Sequence, residues 1–166
     1  MQKADFWIDH LQLGRHPEGG YYREIYRSSD SYAFDDATPF NGSRSYATAI
    51  YYLLKGTDRS KLHRIHSDEL WFFHTGDPLK VYMFPIHGEP SSFTLGLDAD
   101  NGERLQETVP AEIWFGASLE NPERESYTLV SCVVAPGFEF RDLMFADRLT
   151  LLKKFPLHSD IIERLT

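Results

Sequence analysis

The sequence of 166 residues holds one cysteine, Cys132, so no intrachain disulfide can form. Cys132 lies in the apolar run Leu129-Val130-Ser131-Cys132-Val133-Val134, which predicts a buried and inert thiol. A reducing cytoplasm is the simplest compartment for such a chain. No apolar stretch approaches the roughly 20 residues of a membrane-spanning helix, and Met1-Gln2-Lys3-Ala4-Asp5-Phe6-Trp7 lacks the basic-then-apolar order of a secretory signal. Positive charge is scarce: 17 Lys and Arg stand against 25 Asp and Glu, for a net charge of -8, and no basic run exceeds Lys153-Lys154. That field repels phosphate backbones and anionic lipid, so the expectation is neither a nucleic-acid nor a membrane-surface partner. Repeats, low-complexity tracts and linkers are also missing, and the chain reads as one domain over residues 1–166.

Aromatics, in contrast, make up 14% of the sequence, with 9 Tyr and 12 Phe. Rings at that density suit sheets and apolar pockets better than a helical bundle. Turn signals recur at short intervals, among them Gly19-Gly20, Asn41-Gly42, Lys55-Gly56, Gly76-Asp77-Pro78, Asn101-Gly102 and Pro136-Gly137. The runs between them predict about nine strands: Tyr22 to Arg27, Ser45 to Leu54, Lys61 to His66, Glu69 to Thr75, Leu79 to Pro85, Ser91 to Leu97, Arg104 to Val109, Glu112 to Ala117 and Ser126 to Val134. Helical spacing predicts a helix over Ala4 to Leu13 and a short final one capped by Ser159-Asp160. Strands such as Ala49 to Leu54 are apolar on both faces and call for cover by a second sheet or a neighbouring subunit. The fold expected is an all-β barrel or double-sheet jelly roll with short terminal helices.

Chemistry concentrates between Gly56 and Gly76. A period of two puts His63 on one strand face with Ile65, and puts Glu69, Trp71 and Phe73 together on one face of the next strand. An imidazole and a carboxylate could thus project from neighbouring strands into one aromatic-walled cavity and do acid–base work. His66 and His74 fall on the opposite faces and read as structural or exposed. Gly19-Gly20 reads as a tight-turn device, because no helix start follows it.

The stretch resembles the first motif of the cupin superfamily. His63, Glu69 and Gly76 fall in its register, while Ile65 stands at the second histidine position; in the region of the second motif, Glu112 replaces a glycine and Phe115 a histidine. Two of the four usual metal ligands are therefore absent, and no resident metal or other cofactor is expected. A broader similarity, carried by His16 to Glu24, Ile50 to Leu54, His63 to Gly76, Val109-Pro110 with Trp114-Phe115, and Val134 to Phe140, is to the cupin type 5 branch, a domain of unknown function. This resemblance implies a double-stranded jelly-roll barrel, commonly dimeric, with a pocket in its mouth. Cupin epimerases acting on deoxythymidine-diphosphate sugars also keep a motif histidine without metal, and their early Gly-aromatic-aromatic-x-Glu segment is similar to Gly20-Tyr21-Tyr22-Arg23-Glu24.

The functional expectation is a small-molecule pocket, first as a metal-independent isomerase or epimerase of a sugar-like or small polar substrate. His63 is the general base, and the carboxylate orienting it is Glu69 or the more distant Asp142; His63 and Glu69 are the catalytic candidates. Tyr22, Glu24, Trp71 and Trp114 are the candidate ligand-binding residues. A binding or sensing cupin without turnover is the alternative, and a metal-dependent oxygenase a third. A homodimer built partly by the strand around Tyr22 to Arg27 is the expected assembly.

Overall fold

The computed structural model describes residues 3–35 and 37–166. Two antiparallel sheets face each other as a jelly roll. The larger orders six strands as β1 (Gly14–Arg15), β2 (Tyr21–Arg27), β5 (Thr48–Lys55), β12 (Tyr127–Ala135), β7 (Asp68–Gly76) and β10 (Gln106–Val109). The smaller orders five as β13 (Met144–Phe145), β6 (Arg59–Arg64), β11 (Trp114–Leu119), β8 (Leu79–Phe84) and β9 (Ser91–Leu95). A separate hairpin pairs β3 (Ser31–Phe34) with β4 (Gly42–Ser45).

Alternation on the strands builds the core. Inward residues of the larger sheet, including Tyr52, Leu54, Trp71, Phe73, Val130 and Cys132, pack against Leu79, Val81, Phe93, Leu95, Phe115 and Ala117 of the smaller one. Each fully buried Leu or Phe contributes about 1.5–3 kcal/mol by leaving water, so this seam dominates the fold's stability. Strand boundaries differ from the sequence expectation by one to three residues at most ends. The expected strand from Ser45 to Leu54 is two elements, because β4 ends at Ser45 and β5 begins at Thr48.

The chain covers much of its own outward apolar surface. Helix α1 (Ala4–His10) lays Ala4, Trp7 and Ile8 over Leu53, Tyr127 and Leu129 on the outside of the larger sheet. On the smaller sheet Leu62 and Phe84 are sealed by Leu151 of α2 (Arg148–Lys154), Phe155, and Ile162 and Leu165 of α3 (Ser159–Leu165). Both-sided apolarity of those strands is therefore satisfied within the chain, by elements only partly expected. Helix α1 stops short of Leu13, since Gln12 takes a left-handed φ of 54° and turns the chain into β1. Helix α2 was not expected; Asp147 caps it by accepting from the Thr150 N–H at 2.9 Å. Ser159 and Asp160 do not cap α3, which starts without a side-chain cap. Among the described residues, no helix is long and apolar enough to cross a membrane.

Candidate active site

His63 sits on β6 with its ring turned inward, 2% exposed, and its centroid lies 4.2 Å from that of Phe115, the residue paired with it on β11. Its Nδ1 is 2.6 Å from the Lys61 carbonyl oxygen. A carbonyl only accepts, so Nδ1 carries a proton. The other nitrogen, Nε2, faces the Glu18 carboxylate, with Oε2 at 3.2 Å. The carboxylate meeting His63 is thus Glu18, and neither Glu69 nor Asp142 takes that place. Asp142 is engaged elsewhere, in a buried bidentate pair with Arg44 at 2.5 and 2.7 Å.

Glu18 reaches the barrel from the tight turn between β1 and β2. That turn is closed by Gly19 N–H donating to the His16 carbonyl and His16 N–H to the Gly20 carbonyl. It is docked on the barrel by Lys61 N–H donating to the Glu18 carbonyl at 2.9 Å and Tyr52 O–H to the Gly19 carbonyl at 2.9 Å. Ser60 O–H donates to Glu18 Oε1 at 2.9 Å, while Oε2 is the oxygen that faces His63 Nε2. Gly19 makes the docking possible: its φ is 118°, and a Cβ there would overlap the Arg59 carbonyl oxygen. Gly19→Ala is expected to cost about 2 kcal/mol or more, from left-handed strain plus the backbone clash. Urea unfolding measures it, and a loss below about 0.5 kcal/mol would show that the turn is not held as described.

Glu69 is the second residue of β7 in the larger sheet, 8% exposed. Burial, followed by the negative charge of Glu18, pushes its carboxyl up from the usual range to about 8. The Cys132 thiol and the Trp71 indole offset part of that rise, although the indole N–H closes no full hydrogen bond. At neutral pH Glu69 is therefore largely an uncharged acid. His63 and Glu69, carried by facing sheets, line one cavity of about 280 Å³ together with His16, Glu18, Tyr22 and Glu24.

Trp71 and Trp114 are not among the residues lining that cavity. Trp71 does point inward, but into the packed part of the barrel, edge-on to Tyr52 at 6.0 Å and Phe115 at 6.4 Å. Trp114 is turned the other way, under the Arg64 guanidinium at 4.9 Å and against the helix-covered cluster. His66 and His74 also lie outside the cavity, bonded to Glu112 Oε1 at 2.5 Å and Ser131 Oγ at 2.9 Å. Glu112 keeps the left-handed backbone, φ 64°, that a glycine would take there. Glu18 and His16 were missed by the period-two reading because a tight turn has no period; the one local signal is a carboxylate directly before two glycines.

Two of the four ligand positions of a metal-bearing cupin are filled by Ile65 and Phe115, 3% and 1% exposed in the core. Among the described residues no three His, Cys, Asp or Glu side chains are grouped as a metal ion requires. The residues present do not fit a tightly held cupin metal.

Residues 5–146 match the model of the cupin superfamily (DUF985). The chain is 37% identical over 151 residues to the uncharacterised protein YML079W of Saccharomyces cerevisiae, covering 83% of this chain and 72% of the yeast protein. Protein SO0799 of Shewanella oneidensis superposes with a TM-score of 0.87 at 38% identity, over 100% of this chain and 98% of that one. A hypothetical protein of Leishmania major does so with 0.87 at 34%, over 99% of each. Oxalate decarboxylase of Bacillus subtilis, at 14% identity and a TM-score of 0.54 over 92% of this chain and 36% of that one, shares the fold alone. The matched span, the sequence identities and the two facing sheets together show that this chain belongs to the DUF985 branch of the cupin superfamily.

Proposed function

We propose that this cupin is a proton-transfer enzyme, an isomerase or epimerase of a small oxygen-bearing substrate, in which His63 is the base and Glu69 the acid. The observation that carries the reading is the placement of two unlike proton carriers in one cavity: the His63–Glu18 dyad on one side and a buried, protonated Glu69 on the facing sheet. With Nδ1–H held by the Lys61 carbonyl, Nε2 is the ring nitrogen left to take up or release a proton. A proton taken from a carbon beside a carbonyl goes to Nε2, and the imidazolium so formed is stabilised by Glu18 Oε2 at 3.2 Å. The Glu69 carboxyl donates to the carbonyl oxygen as negative charge develops there, which is the work of a carboxylic acid kept neutral by an apolar site. Return of the proton to either face of the carbon gives epimerisation, and its return to the neighbouring carbon gives isomerisation.

Binding without turnover is the second reading, and it is favoured by one observation: both ring nitrogens of His63 face protein oxygens, Nδ1 the Lys61 carbonyl and Nε2 the Glu18 carboxylate. Nuclear magnetic resonance of hydroxyaldehydes, hydroxyketones and free sugars incubated with the protein in deuterium oxide separates the two. The wild type is expected to place deuterium on the carbon beside the carbonyl, and His63→Gln to slow this by about 10²- to 10⁴-fold while melting within a few degrees of wild type. Exchange unaffected by His63→Gln, or none across the panel, would remove the enzymatic reading.

A further inference from the structure

The groups facing the cavity limit the charge of what can enter it. Its described lining residues include four carboxyl side chains, Glu18, Glu24, Glu69 and Glu139, and one permanent cation, Arg27. That cation is already committed. Arg27 Nε and Nη2 donate to the two oxygens of Glu24 at 3.0 and 2.8 Å, Nη1 donates to Glu139 Oε1 at 2.9 Å, and Nη2 donates also to the Phe138 carbonyl at 3.0 Å. Two carboxylates around one guanidinium leave this cluster with an excess of negative charge. A phosphate could reach Arg27 only by displacing a carboxylate that already makes the same kind of bond, and it would then face the other across a partly desolvated space.

The hydrogen-bond donors left to a ligand are uncharged ones. The His16 side chain is 6% exposed, and its Nδ1 lies 3.3 Å from the Glu18 backbone nitrogen, which can only donate. Nδ1 therefore accepts, and the ring proton is on Nε2, for which no hydrogen bond is formed among the described residues. Burial lowers the proton affinity of this ring and keeps it neutral. Tyr22 and Phe140 hold it in place, with ring centroids at 4.5 and 5.7 Å, and both also line the cavity. An N–H donor beside aromatic faces suits a molecule with oxygens on one side and C–H groups on the other.

Building on the acid–base reading of this same cavity, we infer that its substrate class is uncharged: a free sugar or small hydroxycarbonyl compound, held through one oxygen by His16 Nε2–H, with phosphate and nucleotide esters of the same compounds rejected. The test is calorimetric titration of the wild-type protein at neutral pH with glucose, mannose, fructose, rhamnose and fucose. Each is compared with its phosphate monoester and, where one exists, its nucleoside-diphosphate derivative. At least one free sugar is expected to bind, with its esters weaker by about tenfold or more. His16→Phe keeps a ring but removes the Nε2 donor together with the Nδ1 acceptor of the Glu18 N–H, so it is expected to weaken that sugar by about tenfold while lowering the melting temperature of the free protein by roughly 2–12 °C, without unfolding it. Esters that bind as well as the free sugar, a panel in which no free sugar binds, or undiminished binding by His16→Phe would each overturn the inference. A free sugar that binds without deuterium exchange strikes the acid–base function and leaves the substrate class standing. Exchange on a phosphorylated sugar does the reverse.

Discussion

Arg44→Met is expected to destabilise the protein by about 3–5 kcal/mol, a fall in melting temperature of roughly 6–20 °C for a chain of this size. Arg44 is 1% exposed and Asp142 5%, and the guanidinium binds both carboxylate oxygens of Asp142 as well as the Phe40 carbonyl. Removing the cation leaves Asp142 buried with its charge uncompensated, which costs far more than the pair contributes while intact. The double variant Arg44→Met, Asp142→Leu is therefore expected to recover most of the loss, because no charge is then stranded. The pair also has a bearing on the site. It ties the β3–β4 hairpin to the turn of residues 140–142, whose Phe140 lines the cavity. Thermal and urea unfolding of the two single variants and the double one decide the matter. A single-variant cost under about 1 kcal/mol, or a double variant no better than Arg44→Met, would contradict the account.

The second large effect is a dependence of stability on pH that Glu69 introduces. Its folded value is raised from 4.5 to about 8, so between those limits the folded state holds a proton that the unfolded state has released. The stabilising contribution of the protonated form is complete below about pH 4.5 and is lost as pH rises through about 8. At about 1.4 kcal/mol per unit, the wild type gives up several kcal/mol across that window from this one group. Glu69→Gln cannot ionise. Its stability relative to wild type is expected to climb steadily from pH 5 to pH 8.5, so that the variant is the more stable protein at the alkaline end and melts roughly 5–15 °C higher there. Parallel melting curves for the two proteins across this range would show that Glu69 is not a buried neutral acid, and the general-acid assignment would fall with it.

Much of the barrel was legible because its signals are local. Leu79 to Phe84 and Tyr127 to Ala135 are bounded by turn residues and enriched in β-branched and aromatic side chains, and both form strands within a residue or two of expectation. Parity placed His63 and Ile65 inward, and Glu69, Trp71 and Phe73 inward together, all of them buried. Parity distinguishes inside from outside but not one end of a barrel interior from the other. Trp71 accordingly points inward yet fills the packed core with Tyr52 and Phe115. Trp114 went astray for a simpler reason: its neighbour Phe115 takes the inward position beside His63, so the indole is sent to the helix-covered side. The very short strands β1 and β13 escaped notice because two residues show no alternation.

What the sequence by itself determined is a single chain of short antiparallel strands with a buried histidine and a buried glutamate in cupin register, since turn residues, alternation and motif spacing are all written within a few positions of one another. Only the tertiary structure decided which carboxylate stands beside His63. Glu18 arrives there from a turn whose glycines let it lie against the β6 backbone, and the Lys61 N–H and Tyr52 O–H hold it in that place. The charge state of Glu69 was decided in the same way, by burial between two sheets and by the nearness of Glu18, and neither can be read from the residues next to it in the chain.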